Sequence, residues 1–231
     1  MNERIVGVLL AAGSSRRMGG DKLALPLGHT TIGGASLETA LSSSLDHTIV
    51  IGRKDSQAAW IPPSLFERKG WSYAVCDEAF YGQAYTLAFG LKAAEQMNAQ
   101  GVMVLLGDQP FVGVELINQI INTYKKINVP FVAARLDGIP RPPVLFSNRC
   151  FPVLKQLKGD RGAGNLLKQL SFARQGRMVD YKESRPFFDI DTMQEYEQVV
   201  RRGWDGYTNT SADIGMAARE SGGSPLLKGR A

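Results

Sequence analysis

Histidine and cysteine are scarce in this chain, with two of each in 231 residues. His29 and His47 stand apart from every glycine-rich or acidic motif, which removes the usual imidazole base from the candidate chemistry. Cys76 and Cys150 lie in apolar surroundings without metal-ligand spacing, so they read as buried free thiols rather than as a disulfide or a zinc site. No stretch approaches the roughly 18 apolar residues of a membrane span. Residues 1–4 and the short apolar run after them lack the length of a secretory leader. A cytoplasmic protein is the expectation. Long basic runs are missing too: the net charge of +5 comes from scattered Lys and Arg, never five together, which argues against a nucleic-acid partner. A modest positive excess instead suits the attraction of a small polyanion into a cleft.

What is present is the composition of a folded domain, 44% hydrophobic and 21% charged, outside the range of disordered chains. A chain of this length buries roughly 70–75% of its unfolded surface, enough for one core without staples. Apolar runs alternate with helical spacing. Strands are expected at 5–10, 48–52, 71–76, 102–106 and 131–134, and helices at 35–44, 83–98 and 115–126. The alternation predicts an α/β fold: a Rossmann-like, doubly wound, mostly parallel sheet with helices on both faces, binding ligands beyond the carboxyl ends of its strands. Further on, Pro140, Pro142 and Pro143 precede a strand at 144–146. Helices at 150–157 and 163–170, strands near 178–181 and at 187–190, and a last helix at 193–201 complete the domain. Beyond residue 202 the composition shifts to Gly, Ser, Thr and Asn. Residues 1–202 therefore read as one domain and 203–231 as a C-terminal tail with a short helix at 214–220.

The most informative segment is VLLAAGSSRRMGGDK, residues 8–22, where an apolar strand runs into a loop suited to a polyphosphate. Ala11, Ala12, Gly13, Ser14 and Ser15 are small, so their backbone N–H groups can approach an anion closely. Arg17 and Lys22 add two cations within the same loop. A Walker loop is excluded, because Lys22 follows Asp21 and precedes Leu23. The dinucleotide fingerprint is excluded because Gly13 has no glycine two positions on. The ligand implied is a nucleoside triphosphate.

Acidic groups follow. Gly107-Asp108-Gln109-Pro110 comes directly after the apolar run VMVLL, so Asp108 projects from a strand end, where a carboxylate can hold a hard cation on phosphates. Mg²⁺ needs only one or two such carboxylates. A helix N-cap role for Asp108 is disfavoured, since the helix at 115–126 starts several residues later. Phe188-Asp189-Ile190-Asp191-Thr192 ends the expected last strand and opens the last helix. Any of Asp189, Asp191 and Thr192 can cap that helix.

The loop segment resembles the signature L-A-x-G-x-S-x-R-M-G-x-x-K of nucleotidyltransferases with a Rossmann-like fold; Leu10, Ala11, Gly13, Ser15, Arg17, Met18, Gly19 and Lys22 match it. The stretch 189–196 resembles the same family's D-I-D-T-P-E-D-L, in which the Asp before Thr joins the metal, here Asp191. Met193, Gln194 and Glu195 replace the usual Pro, Glu and Asp. Tyr81-Gly82-Gln83-Ala84-Tyr85-Thr86-Leu87 resembles the glycine-led helix start that these enzymes place near the nucleotide, with Thr86 where Ser is usual; a simply capped helix start is the other reading. Gly159-Asp160-Arg161-Gly162-Ala163 and the preceding IPRPPVLF resemble segments of the molybdenum cofactor cytidylyltransferases, with Arg141 where His or Gly is common.

Over residues 5–200 the resemblance narrows to the molybdenum cofactor cytidylyltransferase family. It implies transfer of CMP from CTP to the phosphate of molybdopterin, with release of pyrophosphate, in the maturation of a molybdoenzyme such as xanthine dehydrogenase. It implies Mg²⁺, with Mn²⁺ as a substitute, on Asp108 and Asp191, and transient contact with the molybdoenzyme. Arg17, Lys22, Asp108 and Asp191 are the expected catalytic residues. The nucleotide is expected at Leu10, Ala11, Ala12, Gly13, Ser14, Ser15, Arg17, Lys22, Gly82, Thr86, Gly107 and Asp108. The family's guanylyl branch typically reads L-A-G-G, so the methyl of Ala12 favours a pyrimidine base. Two alternatives carry the same loop and acids: a nucleotidyltransferase for a sugar, polyol or amino-alcohol phosphate, and a non-catalytic carrier of the molybdenum cofactor.

Overall fold

The computed structural model describes residues 3–13, 18–56, 58–160 and 162–202. Ser14, Ser15 and Arg17 of the expected phosphate loop, and the expected tail at 203–231 with its helix at 214–220, lie outside the described residues. In chain order the elements are β1 (Ile5–Leu10), a hairpin of β2 (Pro26–Leu27) and β3 (Thr30–Thr31), α1 (Ile32–Ser42), β4 (His47–Gly52), α2 (Pro63–Phe66), β5 (Trp71–Val75) and α3 (Gln83–Gln96). Then come β6 (Gly101–Leu106), α4 (Val114–Lys126), β7 (Phe131–Leu136), β8 (Ile139–Ser147), the short helices α5 (Phe151–Leu154), α6 (Gly164–Lys168) and α7 (Leu170–Ala173), β9 (Arg177–Tyr181) and α8 (Met193–Arg202). No described helix is long and apolar enough to cross a membrane.

Seven strands make one sheet in the order β5-β4-β1-β6-β8-β7-β9. Pairings within β5-β4-β1-β6 and between β7 and β9 are parallel, while β8 runs antiparallel to β6 and β7. The expected mostly parallel, two-sided architecture is the one observed. β1 shows why its sequence is apolar throughout: Ile5 and Leu9 enter one core with Leu37 of α1 and Ile120 of α4, whereas Val6, Val8 and Leu10 enter the other with Leu87 and Leu91 of α3. A strand covered on both faces has no polar side. α3 lies so close that a β-carbon on Gly90 would sit 2.5 Å from Val8 Cγ1.

The strand order also locates the ligand edge. From β1 the chain winds outward through β4 to β5, then returns through α3 to place β6 on the other side of β1. The two winding directions diverge at the carboxyl ends of β1 and β6, where open α/β sheets leave a crevice.

Some boundaries differ from those expected. α1 begins at Ile32 because the Thr31 hydroxyl accepts a hydrogen bond from Gly34 N (2.9 Å); the weak helix propensity of the Gly33-Gly34 pair hides that start. β8 extends back to Ile139 through three prolines. It can do so because β6 pairs only with residues 144–147, and the register against β7 shifts at Ala133/Ala134, beside Pro142-Pro143. The expected strand at 187–190 is not one. Arg185–Phe187 is a 3-10 helix, and residues 188–192 have no regular structure. Pro186 has no N–H to offer a ladder. Phe187 and Ile190 owe their apolar character to burial in the α1/α4 core, and the Ile190 N–H donates to the Asp108 carbonyl (3.2 Å) instead of to a strand.

Candidate active site

The loops after β1, β4, β5 and β6 surround a cleft of about 810 Å³. Leu10, Ala11, Ala12, Gly13, Lys22, Gly82, Thr86 and Asp108 all line it. Gly107 stands beside them, its N–H bonded to the Leu10 carbonyl (3.0 Å). Its own carbonyl accepts from the Ser36 hydroxyl (3.1 Å). Ala11 N is in turn held by the Ile51 carbonyl (2.9 Å). The ends of β1, β4 and β6 are thereby tied together at the point where a ligand would enter.

Lys22 is the centre of the charge distribution. Its ammonium donates to Asp108 Oδ2 (2.7 Å) and to Asp191 Oδ1 (2.8 Å). It sits on a one-turn 3-10 helix, Lys22–Ala24, whose start is fixed by the Asp21 carboxylate accepting from Leu23 N. The residue is only 8% exposed. Burial alone would lower its pKa, but the charges of Asp108 and Asp191 and the hydrogen bonds to them outweigh that, and the pKa stands above the ordinary lysine value. Lys22 is thus a firmly charged cation between two carboxylates brought from distant parts of the chain.

Among the three candidate caps of the last helix, Thr192 takes the role. The Glu195 N–H donates to Thr192 Oγ1 (3.2 Å), while Asp191 N (2.9 Å) and Thr192 N (2.8 Å) donate to Glu195 Oε2. This is a reciprocal capping box. It satisfies the helix end without Asp191, whose side chain is left to face Lys22. The Asp189 Oδ1 is buried without a hydrogen-bond partner among the described residues, as is Gln109 Oε1. Burial, reinforced by the charge of Asp108, pushes the Asp189 carboxyl up to about 6.

The start of α3 forms the opposite wall. Gly82 has φ +125°, and a β-carbon there would lie 2.6 Å from both Asp160 Oδ1 and the Gly159 carbonyl carbon. Glycine is required on both counts. Ala84 N donates to the Gly159 carbonyl (3.0 Å), so the segment beginning Gly159-Asp160 docks on the α3 start, and Asp160 reaches the cleft. Two segments singled out separately in the sequence are therefore neighbours. Thr86 is buried one turn further on.

Arg53, Lys54 and Asp55, directly after β4, also line the cleft. Arg53 Nη1 donates to the Gly13 carbonyl (3.0 Å), and Ser56 Oγ to Asp21 Oδ2 (3.2 Å), so this loop braces both ends of the phosphate segment. Sequence reasoning missed Arg53. Its one signal was a cation immediately after a parallel strand ending in glycine. Asp77, Phe80 and Tyr81 complete the lining and were likewise not singled out individually as ligand contacts.

The donor set fits a divalent cation. Asp108 and Asp191 converge on one positive charge, and no group of three or more His, Cys, Asp or Glu side chains suited to a metal occurs among the described residues. Two carboxylates suffice for an ion that keeps waters and phosphate oxygens as its other ligands.

A doubly wound sheet with two acids and a lysine gathered at its reversal point is the fold and side-chain set expected of the Rossmann-like nucleotidyltransferase class. Within it, residues 7–175 match the MobA-like NTP transferase domain, and the chain belongs to that family. It is 42% identical over 204 residues to purine catabolism protein PucB of Bacillus subtilis, a match covering 85% of this chain and 96% of that protein. It is 27% identical over 209 residues to a molybdenum cofactor guanylyltransferase of Mesorhizobium japonicum, covering 87% and 97%. Another relative, 24% identical over 203 residues and covering 85% and 96%, is the nicotine blue oxidoreductase of Paenarthrobacter nicotinovorans. Among solved structures, Rv0371c from Mycobacterium tuberculosis superposes with a TM-score of 0.73 at 28% identity, over 86% of this chain and 97% of that one. A further crystal structure of Rv0371c is a complex with manganese.

Proposed function

We propose that this protein transfers the CMP moiety of CTP to the terminal phosphate of molybdopterin, with release of pyrophosphate, and so serves the maturation of a molybdoenzyme such as xanthine dehydrogenase. The observation that carries the reading is the convergence of Lys22, Asp108 and Asp191 beside the small-residue loop at Ala11–Gly13. The guanylyltransferase relative supports a molybdenum cofactor as acceptor. Ala12, where the guanylyl branch carries glycine, supports the pyrimidine nucleotide.

In the reaction, an acceptor phosphate oxygen forms a bond to the α-phosphorus of CTP, and the bond from that phosphorus to the bridging oxygen of the β-phosphate breaks, leaving as pyrophosphate. The attacking phosphate is already ionised at neutral pH, so no general base is needed. This matches His29 and His47, both outside the cleft lining. Asp108 and Asp191 would hold Mg²⁺ or Mn²⁺, which supplies Lewis-acid charge to the reacting phosphates. The backbone from Leu10 to Gly13, with Ser14 and Ser15, would receive the triphosphate and base; Gly82, Thr86 and Gly107 would border the nucleoside. Lys22, on a flexible stem anchored at the cleft, and Arg17 would neutralise the charge that builds on the departing pyrophosphate. Catalysis is then mostly positioning and charge, and holding the reactants in register can supply roughly 7–11 kcal/mol.

The test is incubation of the protein with Mg²⁺, molybdopterin and either CTP or GTP, following pyrophosphate and the dinucleotide product. CTP should be the better donor by kcat/KM. Turnover of CTP with a sugar, polyol or amino-alcohol phosphate but not with molybdopterin would replace the acceptor. Tight cofactor binding without any pyrophosphate would replace the enzyme by a carrier.

A further inference from the structure

Three aromatic rings stand in sequence at the start of α3, and the first two line the cleft. Phe80 and Tyr81 end a 3-10 helix, Asp77–Tyr81, that leads into α3. Their ring centroids are 3.9 Å apart with planes at 38°, and Tyr81 continues to Tyr85 at 5.4 Å and 41°. Phe80 is 74% exposed and Tyr81 57%. Leaving aromatic faces of this size in water forgoes about 25 cal/mol for each Å² of apolar surface, and contiguous exposure of this kind marks a binding surface. Both rings line the cleft together with the carboxylates of Asp77 and Asp160.

We infer that Phe80 and Tyr81 are a stacking platform for the planar heterocycle of the acceptor, and that Asp160 reads its donor edge. The inference rests on molybdopterin as the acceptor. The shared chemistry is a flat heteroaromatic ring, which both the nucleobase and the pterin possess, and two observations favour the pterin. Asp160 comes from the second half of the chain, and its segment docks on the start of α3 through the Gly159 carbonyl, so the platform sits where the early loops of the cleft meet the chain beyond β8. A carboxylate, moreover, accepts two hydrogen bonds from adjacent N–H groups. The amino-lactam edge of a pterin offers that pair, whereas cytosine offers an amino group beside an acceptor nitrogen. The 810 Å³ cleft lies in the upper part of the range of roughly 300–1,000 Å³ seen for single small ligands, which leaves space for two reactants.

The experiment uses the full chain and its Phe80→Ala, Tyr81→Ala and Asp160→Asn variants. Binding of 6-hydroxymethylpterin phosphate is followed by quenching of pterin fluorescence, and KM values for CTP and molybdopterin are measured separately. Both aromatic side chains are exposed, so the variants should keep the wild-type melting temperature. The expected result is a weakening of pterin binding and a rise in molybdopterin KM of about five- to tenfold in each aromatic variant, with CTP KM within twofold of wild type. Asp160→Asn should abolish the preference for the pterin probe over the corresponding lumazine phosphate, which lacks the 2-amino group. A rise in CTP KM with pterin binding unchanged would assign the rings to the nucleobase and overturn the inference. Unchanged values for both ligands would overturn it as well. If the wild-type protein fails to bind the pterin probe but still releases pyrophosphate from CTP with another phosphate, the acceptor itself is wrong and the inference falls with it. Pterin binding by wild type that all three variants share removes the platform alone.

Discussion

The two halves of the sheet build the cleft by different means. On the β5-β4-β1-β6 side, strand ends carrying Ala11, Ala12, Gly13 and Gly107 are cross-tied by main-chain hydrogen bonds, and side chains such as Lys22, Arg53 and Asp108 project from that frame. The part of the chain from β7 onward reaches the site, among the described residues, at two places, through the Asp191 carboxylate on Lys22 and through Gly159-Asp160 on the start of α3. A tied backbone gives the small-residue loop a fixed seat, whereas contacts made by a few projecting side chains can be altered at little cost to the fold.

The largest effect should come from altering the charges around the cation that the two halves share. Asp108→Asn keeps the shape of the Lys22 contact while removing a charge, and kcat should fall roughly 100- to 1,000-fold. Its thermal unfolding should stay within a few degrees of wild type. Chelation of divalent metal should remove turnover altogether, with recovery on adding Mg²⁺ or Mn²⁺; activity in excess chelator would take Asp108 and Asp191 out of the metal role.

The next effect is structural and lies at the seam. Gly82→Ala places a methyl 2.6 Å from Gly159 and Asp160 at a φ of +125°, so it should cost about 1–3 kcal/mol. At roughly 2–4 °C for each kcal/mol in a chain of this size, calorimetry should register the loss. A variant as stable as wild type would mean that the halves meet more loosely than their contacts imply.

Ala12→Gly acts wholly within the tied backbone frame. A single methyl is worth about 1–3 kcal/mol, or roughly 10- to 200-fold, and the CTP to GTP ratio of kcat/KM should drop by an amount in that range. No change in the ratio would detach base choice from residue 12. The smallest effect concerns Cys150, which is buried in the second half. Burial pushes its thiol up to about 11. The group therefore stays protonated through neutral pH, and the reactive thiolate gains ground only as pH climbs toward that value. Iodoacetamide at pH 7.5 should leave native Cys150 unlabelled by mass spectrometry and modify it after denaturation.

The backbone half was readable in the sequence and the other half only in fragments, for a physical reason. β1 announces itself because a strand buried on both faces is apolar throughout, and Ala11–Gly13 because small residues after such a strand have few other uses. The 187–190 stretch imitates a strand, yet its apolar residues serve a core while its backbone bonds to the loop after β6. Asp191 was selected over Asp189 by resemblance alone. In the structure the Thr192–Glu195 clasp caps the helix, and the Asp191 side chain lies on Lys22. Arg53 and Asp160 reach the cleft through contacts with residues far away in the chain, so the cation after β4 and the resembling segment at 159–163 gave no indication of their partners.

The hydrogen bond from Ile190 N to the Asp108 carbonyl fastens the main chains beneath the two acids to each other. The two carboxylates are therefore coupled through the backbone as well as through the Lys22 ammonium between them. A substitution that loosens residues 188–190 would reach that charge cluster without altering any of its three members.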